Sequence, residues 1–111
     1  MYSHDGQPLF VVDTHVHFWD ASPANQLNRY GAGFIECFYN FHAALSPPEY
    51  VWSAELFGKY PEERIMKDLF EEGYVDKAIL MPTYLTDFFR DGFNTIEQDA
   101  VMKKGHPGEF I

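Results

Sequence analysis

Basic residues are scarce in this 111-residue chain: eight Lys and Arg stand against 17 Asp and Glu, for a formal net charge of −9. A field of that sign repels phosphate backbones, so nucleic acid is not an expected partner. Cysteine is reduced to Cys37. One thiol closes no intrachain disulfide and holds no metal alone; it reads as a small buried side chain or a loop thiol in a reducing compartment. Long hydrophobic runs are missing too. The run near the start, Leu9-Phe10-Val11-Val12, is far short of the roughly 18 apolar residues that span a bilayer. The opening Met-Tyr-Ser-His-Asp-Gly-Gln-Pro has an early acid and no basic flank for a secretory leader. These absences predict a cytoplasmic chain with no membrane partner. What is present, 46% apolar and 18% aromatic residues, predicts a globular fold within one domain and excludes global disorder.

The hydrophobic pattern predicts a strand over 9–17, where four apolar residues run into Asp-Thr-His-Val-His, and burial of both its faces. An aromatic-rich excursion over 18–60 follows, too long for an ordinary connection of about 2 to 6 residues. Inside it Ser46-Pro47-Pro48-Glu49 has the serine, first-turn proline and later glutamate of a helix start, with Gly58 as the stop. A second helix is predicted over 61–72, with Ile65, Met66, Leu69 and Phe70 on one face and Gly73 after it. Residues 75–81 read as a strand buried on both faces and ended by Pro82, and 83–93 as a loop. A third helix is predicted from Asn94, capping with Glu97 reaching back, through Ile96, Ala100 and Val101 to Lys103, Lys104 and Gly105. After the turn His106-Pro107-Gly108-Glu109, Phe110-Ile111 begins a third strand. Strand, helix, strand, helix, strand is the order of βαβ units on a parallel sheet. Two strands and a start are too few to cover a parallel sheet, which predicts an incomplete fold.

Chemistry concentrates at His15 and His17. Residues two apart on a strand face the same way, so the two imidazoles converge. Imidazole nitrogen is a preferred zinc ligand, and a catalytic zinc site takes three protein ligands and leaves one position open. His-x-His alone is a weak motif, but its place at a strand end strengthens it, because catalytic groups of α/β barrels gather at strand C-termini.

The stretch Val11-Val12-Asp13-Thr14-His15-Val16-His17-Phe18-Trp19-Asp20 resembles the first strand of the amidohydrolase superfamily of metal-dependent (β/α)₈ barrels. Gly73-Tyr74-Val75-Asp76-Lys77-Ala78-Ile79-Leu80-Met81-Pro82 resembles the second strand of its amidohydrolase-2 branch. That branch includes decarboxylases of the aminocarboxymuconate-semialdehyde and resorcylate type and hydrolases of lactones and related carbonyl compounds. The resemblance implies an α/β fold: the N-terminal βαβα portion of a (β/α)₈ TIM barrel, with 1–111 as part of one barrel domain carrying an insertion at about 18–60. It implies that His15 and His17 are metal ligands for a divalent ion, zinc by preference. The other ligands, a histidine after the fifth strand, often one after the sixth, and an aspartate after the eighth, are expected beyond Ile111 together with the catalytic groups. A barrel needs about 250 residues, so the chain is expected to be an inactive fragment of an enzyme acting on a small-molecule substrate, by carbonyl hydrolysis or nonoxidative decarboxylation. The alternatives are a metal-dependent nuclease or phosphoesterase barrel, which begins similarly, and a non-catalytic binding or assembly module. A homo-oligomer is the expected association, through an open sheet edge or through the aromatic excursion, which reads either as a lid or as a dimer contact.

Other candidates have weaker placement. Asp13 shares the histidine face, where it either orients an imidazole or caps the neighbouring backbone. Trp19, just beyond the ligands, and Tyr84, in the loop after the second strand, are the candidate substrate contacts. Asp87 and Arg90 share that loop, where an arginine could fork a carboxylate but a solvated charge is the default. His4, His42 and His106 lie in a tail, the excursion and a turn on the opposite rim, and are expected to be structural or exposed.

Overall fold

Residues 1–111 are described by a computed structural model, which shows a mixed α/β chain with three two-stranded sheets and no closed barrel. The segments group into two units, one of Met1–Phe18, Pro61–Thr83 and Asn94–Ile111, the other of Trp19–Tyr60 and Tyr84–Phe93. No helix is long and apolar enough to cross a membrane.

The first unit opens with a hairpin, β1 (Tyr2–His4) and β2 (Gln7–Leu9), turned at Asp5 and Gly6 with φ of 50° and 75°. Asp-Gly is the dipeptide that a two-residue hairpin turn with positive φ selects, so the predicted strand over 9–17 starts later, as β3 (Val12–Val16). It pairs in parallel with β6 (Lys77–Leu80) in the register Val12↔Lys77, Asp13↔Ala78 and Val16↔Leu80. Phe110 adds a parallel bridge to Ala78 on the far side, so three parallel segments lie side by side in chain order. Burial on both faces is not what forms. In β3 only Val16 is buried, and in β6 only Ala78; β3 has a strand neighbour on one side alone.

α3 (Glu62–Ile65) widens into a π-helical stretch, Met66–Glu72, over the predicted helix. Gly73 follows it at a position only glycine fits, since a Cβ there would lie 2.5 Å from the Asp68 carbonyl oxygen. α4 (Ile96–Gly105) begins one residue later than predicted. Thr95 and Gln98 form the reciprocal cap, with Thr95 Oγ1 accepting from the Gln98 N–H (3.3 Å) and Gln98 Oε1 from the Thr95 N–H (2.9 Å). Thr-x-x-Gln offers the same box as Asn94 and Glu97, and the Asn94 side chain is engaged elsewhere. The core of this unit is Val16, Ile65, Ala78, Met102 and Phe110.

The second unit holds most of the aromatic excursion. Its main element, α1 (Arg29–Leu45), is capped by Asn28, whose Oδ1 accepts from the Tyr30 N–H. Ser46 closes α1 through its N–H to the His42 carbonyl, so the helix predicted over 46–58 is split. A 3-10 turn, Pro48–Tyr50, precedes an extended Val51-Trp52 and then α2 (Ala54–Gly58), capped by Ser53. β4 (Trp19–Asp20) pairs antiparallel with β5 (Lys59–Tyr60). The predicted loop 83–93 supplies much of the core. Phe89 and Phe93 are buried with Ala21, and the segment closes on itself where the Phe93 N–H donates to the Tyr84 carbonyl (2.7 Å).

Candidate functional site

His15 lies in β3 and His17 one residue beyond it, at the C-terminal end of the parallel strand. Their rings meet edge to face, with centroids 4.8 Å apart and Nε2 atoms 2.9 Å apart. The His17 Nδ1 lies 2.6 Å from the Met81 carbonyl oxygen. A carbonyl only accepts, so His17 carries its proton on Nδ1 and presents a bare Nε2 toward His15. Without an ion, the His15 Nε2–H fills the space between them; once that proton leaves, both nitrogens are free donors aimed at one point. Met81 is placed for this role because its N–H donates to the Val16 carbonyl (2.9 Å), continuing the ladder past β6. The Asp13 carboxylate accepts from the His15 backbone N–H (3.0 Å), which is the capping role rather than an imidazole contact.

Two imidazole nitrogens 2.9 Å apart, each about 2.0–2.1 Å from a divalent ion, subtend about 90° at it, so the rings open by roughly 0.4 Å to seat tetrahedral zinc. No group of three or more His, Cys, Asp or Glu side chains that could hold a metal is present. The pair therefore supplies two ligand positions and no third.

Behind His17 lies a buried polar cluster that no sequence pattern announces. Asn94 is 0% and Asp99 8% exposed, and the Asn94 Nδ2 donates to Asp99 Oδ1 at 2.5 Å. The Thr83 N–H donates to the Asn94 carbonyl at 2.8 Å. Burial pushes the Asp99 carboxyl above its ordinary range, against the opposing pull of the Asn94 hydrogen bond. Thr83 Oγ1, Asn94 Oδ1 and Asp99 Oδ2 are buried with no protein partner, each a cost of about 1–3 kcal/mol. In the sequence Asp99 does not stand out, because an acid in the first helical turn reads as a complement to the helix dipole. Its burial is the missing signal.

The remaining candidates divide between the units. Trp19 belongs to the second unit, where its indole N–H donates to the Phe57 carbonyl (2.8 Å) and its ring stacks at 6° on Phe93, among Phe38, Phe57 and Tyr60. Its faces are spent on packing. Tyr84 is exposed in the same unit and, like Leu85, has positive φ, 60° and 53°; the two line a recess of about 300 Å³ with Thr86, Asp87 and Phe88. His106 in the first unit holds Glu62 Oε1 at 2.6 Å. His42 in the second accepts the Trp52 N–H and stacks on Phe57. Comparison with protein-family models, curated proteins and solved structures finds no match to this chain.

Proposed function

We propose that the chain is the N-terminal βαβα part of a (β/α)₈ metal-dependent enzyme of the amidohydrolase-2 type, in which His15 and His17 hold a divalent ion, zinc by preference. The observation that carries this reading is the convergence of the two Nε2 atoms at 2.9 Å, with the His17 tautomer fixed by the Met81 carbonyl. It is supported by the parallel, in-order neighbours β3, β6 and Phe110, the sequence in which barrel strands follow one another, and by the position of the pair at the strand C-termini. A divalent ion there supplies Lewis acidity toward a substrate oxygen, which serves either hydrolysis of a carbonyl compound or nonoxidative decarboxylation of a small carboxylated molecule. His15 and His17 bind and orient it. On this reading the remaining ligands and the proton-transferring group come from residues beyond Ile111.

The test uses the 111 residues and the complete parent protein. The parent binds about one zinc per chain, and His15→Ala with His17→Ala strips it. The isolated chain binds zinc far more weakly, since two imidazoles leave at least half of a tetrahedral shell to water, and it turns over neither lactones nor aryl carboxylates. Elemental analysis showing undiminished metal in the double variant of the parent sinks the reading.

A further inference from the structure

A carbonyl orients an imidazole only if the carbonyl is itself held. Met81 has one anchor on its N-terminal side, its own N–H on the Val16 carbonyl. On its C-terminal side stands Pro82, which has no N–H to offer. The next anchor is the Thr83 N–H, and its acceptor is the Asn94 carbonyl at 2.8 Å. Asn94 is fixed in turn: it is wholly buried, and its side-chain amide is bound to the carboxylate of Asp99, whose own N–H is tied to the Thr95 carbonyl in the first turn of α4. A continuous series of bonds thus runs from the start of α4 to the ring of His17.

We infer that Asn94 and Asp99 are positioning residues for His17: by fixing the chain at Thr83 they set the Met81 carbonyl that keeps the imidazole protonated on Nδ1 and leaves Nε2 bare. The consequence for metal binding rests on the proposed function; the consequence for the tautomer does not. The arrangement is that of a metal-binding histidine whose other ring nitrogen is bonded to a fixed acceptor, a device whose disruption weakens metal binding by about 10- to 100-fold.

The tautomer is read by nitrogen-15 shifts of the imidazoles in the metal-free 111-residue chain, and affinity by zinc titration. In the wild-type chain His17 is protonated on Nδ1; finding it protonated on Nε2 overturns the inference without any variant. Asp99→Leu fills the buried space while removing the acceptor for Asn94, and Asn94→Ala removes the donor. Both shift His17 toward the Nε2–H form and weaken zinc binding by about 10- to 100-fold. Asp99→Asn keeps an oxygen for the Asn94 amide and retains the wild-type tautomer. Ile65→Val lowers stability through the core without touching these bonds, and leaves the tautomer unchanged. A folded Asp99→Leu or Asn94→Ala chain with the wild-type tautomer overturns the inference. Failure of the complete parent protein to bind zinc, with the tautomer of the 111-residue chain still shifting in Asp99→Leu, overturns the metal reading and upholds the positioning one.

Discussion

At Asp99 and Asp20, burial acts on two carboxyls with opposite results. Asp99 is pushed up because burial outweighs the Asn94 hydrogen bond. Asp20 also loses water to burial, but bonds from Ser22 and the Lys59 ammonium, 3.1 Å away, hold its carboxyl below the ordinary value. The native state therefore grips the Asp99 proton more tightly than the unfolded chain does. The resulting stability is full below the ordinary carboxylate value and is lost as pH rises through the raised one; for Asp20 the contribution is present above the ordinary value and lost as pH falls through the depressed one. Urea unfolding between about pH 2 and about pH 7 separates them, with the Asp20 change falling below about pH 4 and the Asp99 change above it. Relative to wild type, Asp99→Asn gains stability as pH rises, and Asp20→Asn loses it. At this scale the His15–His17 pair was legible because strand periodicity alone brings i and i+2 together. The Met81 carbonyl was not, since 64 residues separate it from His17 and no local pattern encodes that bond.

Among the elements, β6 and α4 were readable because each carries its own punctuation, Pro82 after the strand and a polar cap before the helix. The longest helix was not. α1 contains Gly31 and Gly33, which weaken a helical expectation by about 1 kcal/mol each, and it forms because Phe34 and Ile35 pack on the cluster of Ala21, Phe89 and Phe93. Those partners come largely from the segment read as a loop. The two glycines make a paired prediction. A Cβ on Gly33 meets nothing within 4 Å, so Gly33→Ala raises stability by roughly 0.5–1 kcal/mol. A Cβ on Gly31 would stand 2.6 Å from the Phe88 carbonyl oxygen, so Gly31→Ala lowers stability despite the better helix former. Thermal unfolding of the two variants, with opposite shifts in Tm, checks the pair; two upward shifts would refute the close approach.

For the molecule as a whole, the expectation of association finds its material in the exposed surface. Phe10, Phe41, Leu45, Tyr50 and Val101 are all exposed, with Val101 beside an apolar recess of about 330 Å³ lined also by Phe18, Met102, Glu62, Glu97 and Gln98. β3 adds an edge with no strand paired on its outer side, and open edges next to apolar faces recruit further chains. Sedimentation of the 111 residues is expected to show mass rising with concentration; a monomer with a sharp, concentration-independent unfolding transition would refute the association and, with it, the incomplete-fold reading.

The threading of the two units also sets an order in time. The first is built from three separate stretches of chain and the second from two, interleaved so that residues 84–93 of the second fall between parts of the first. During synthesis, neither unit has all its parts until its last stretch has emerged: 84–93 for one, 94–111 for the other. The long-range pairing of β3 with β6 spans about 65 residues, a closure that slows folding relative to local contacts. Both nascent units thus wait on late residues, with their aromatic faces uncovered in the interval, and no single cleavage of the chain can release either one whole.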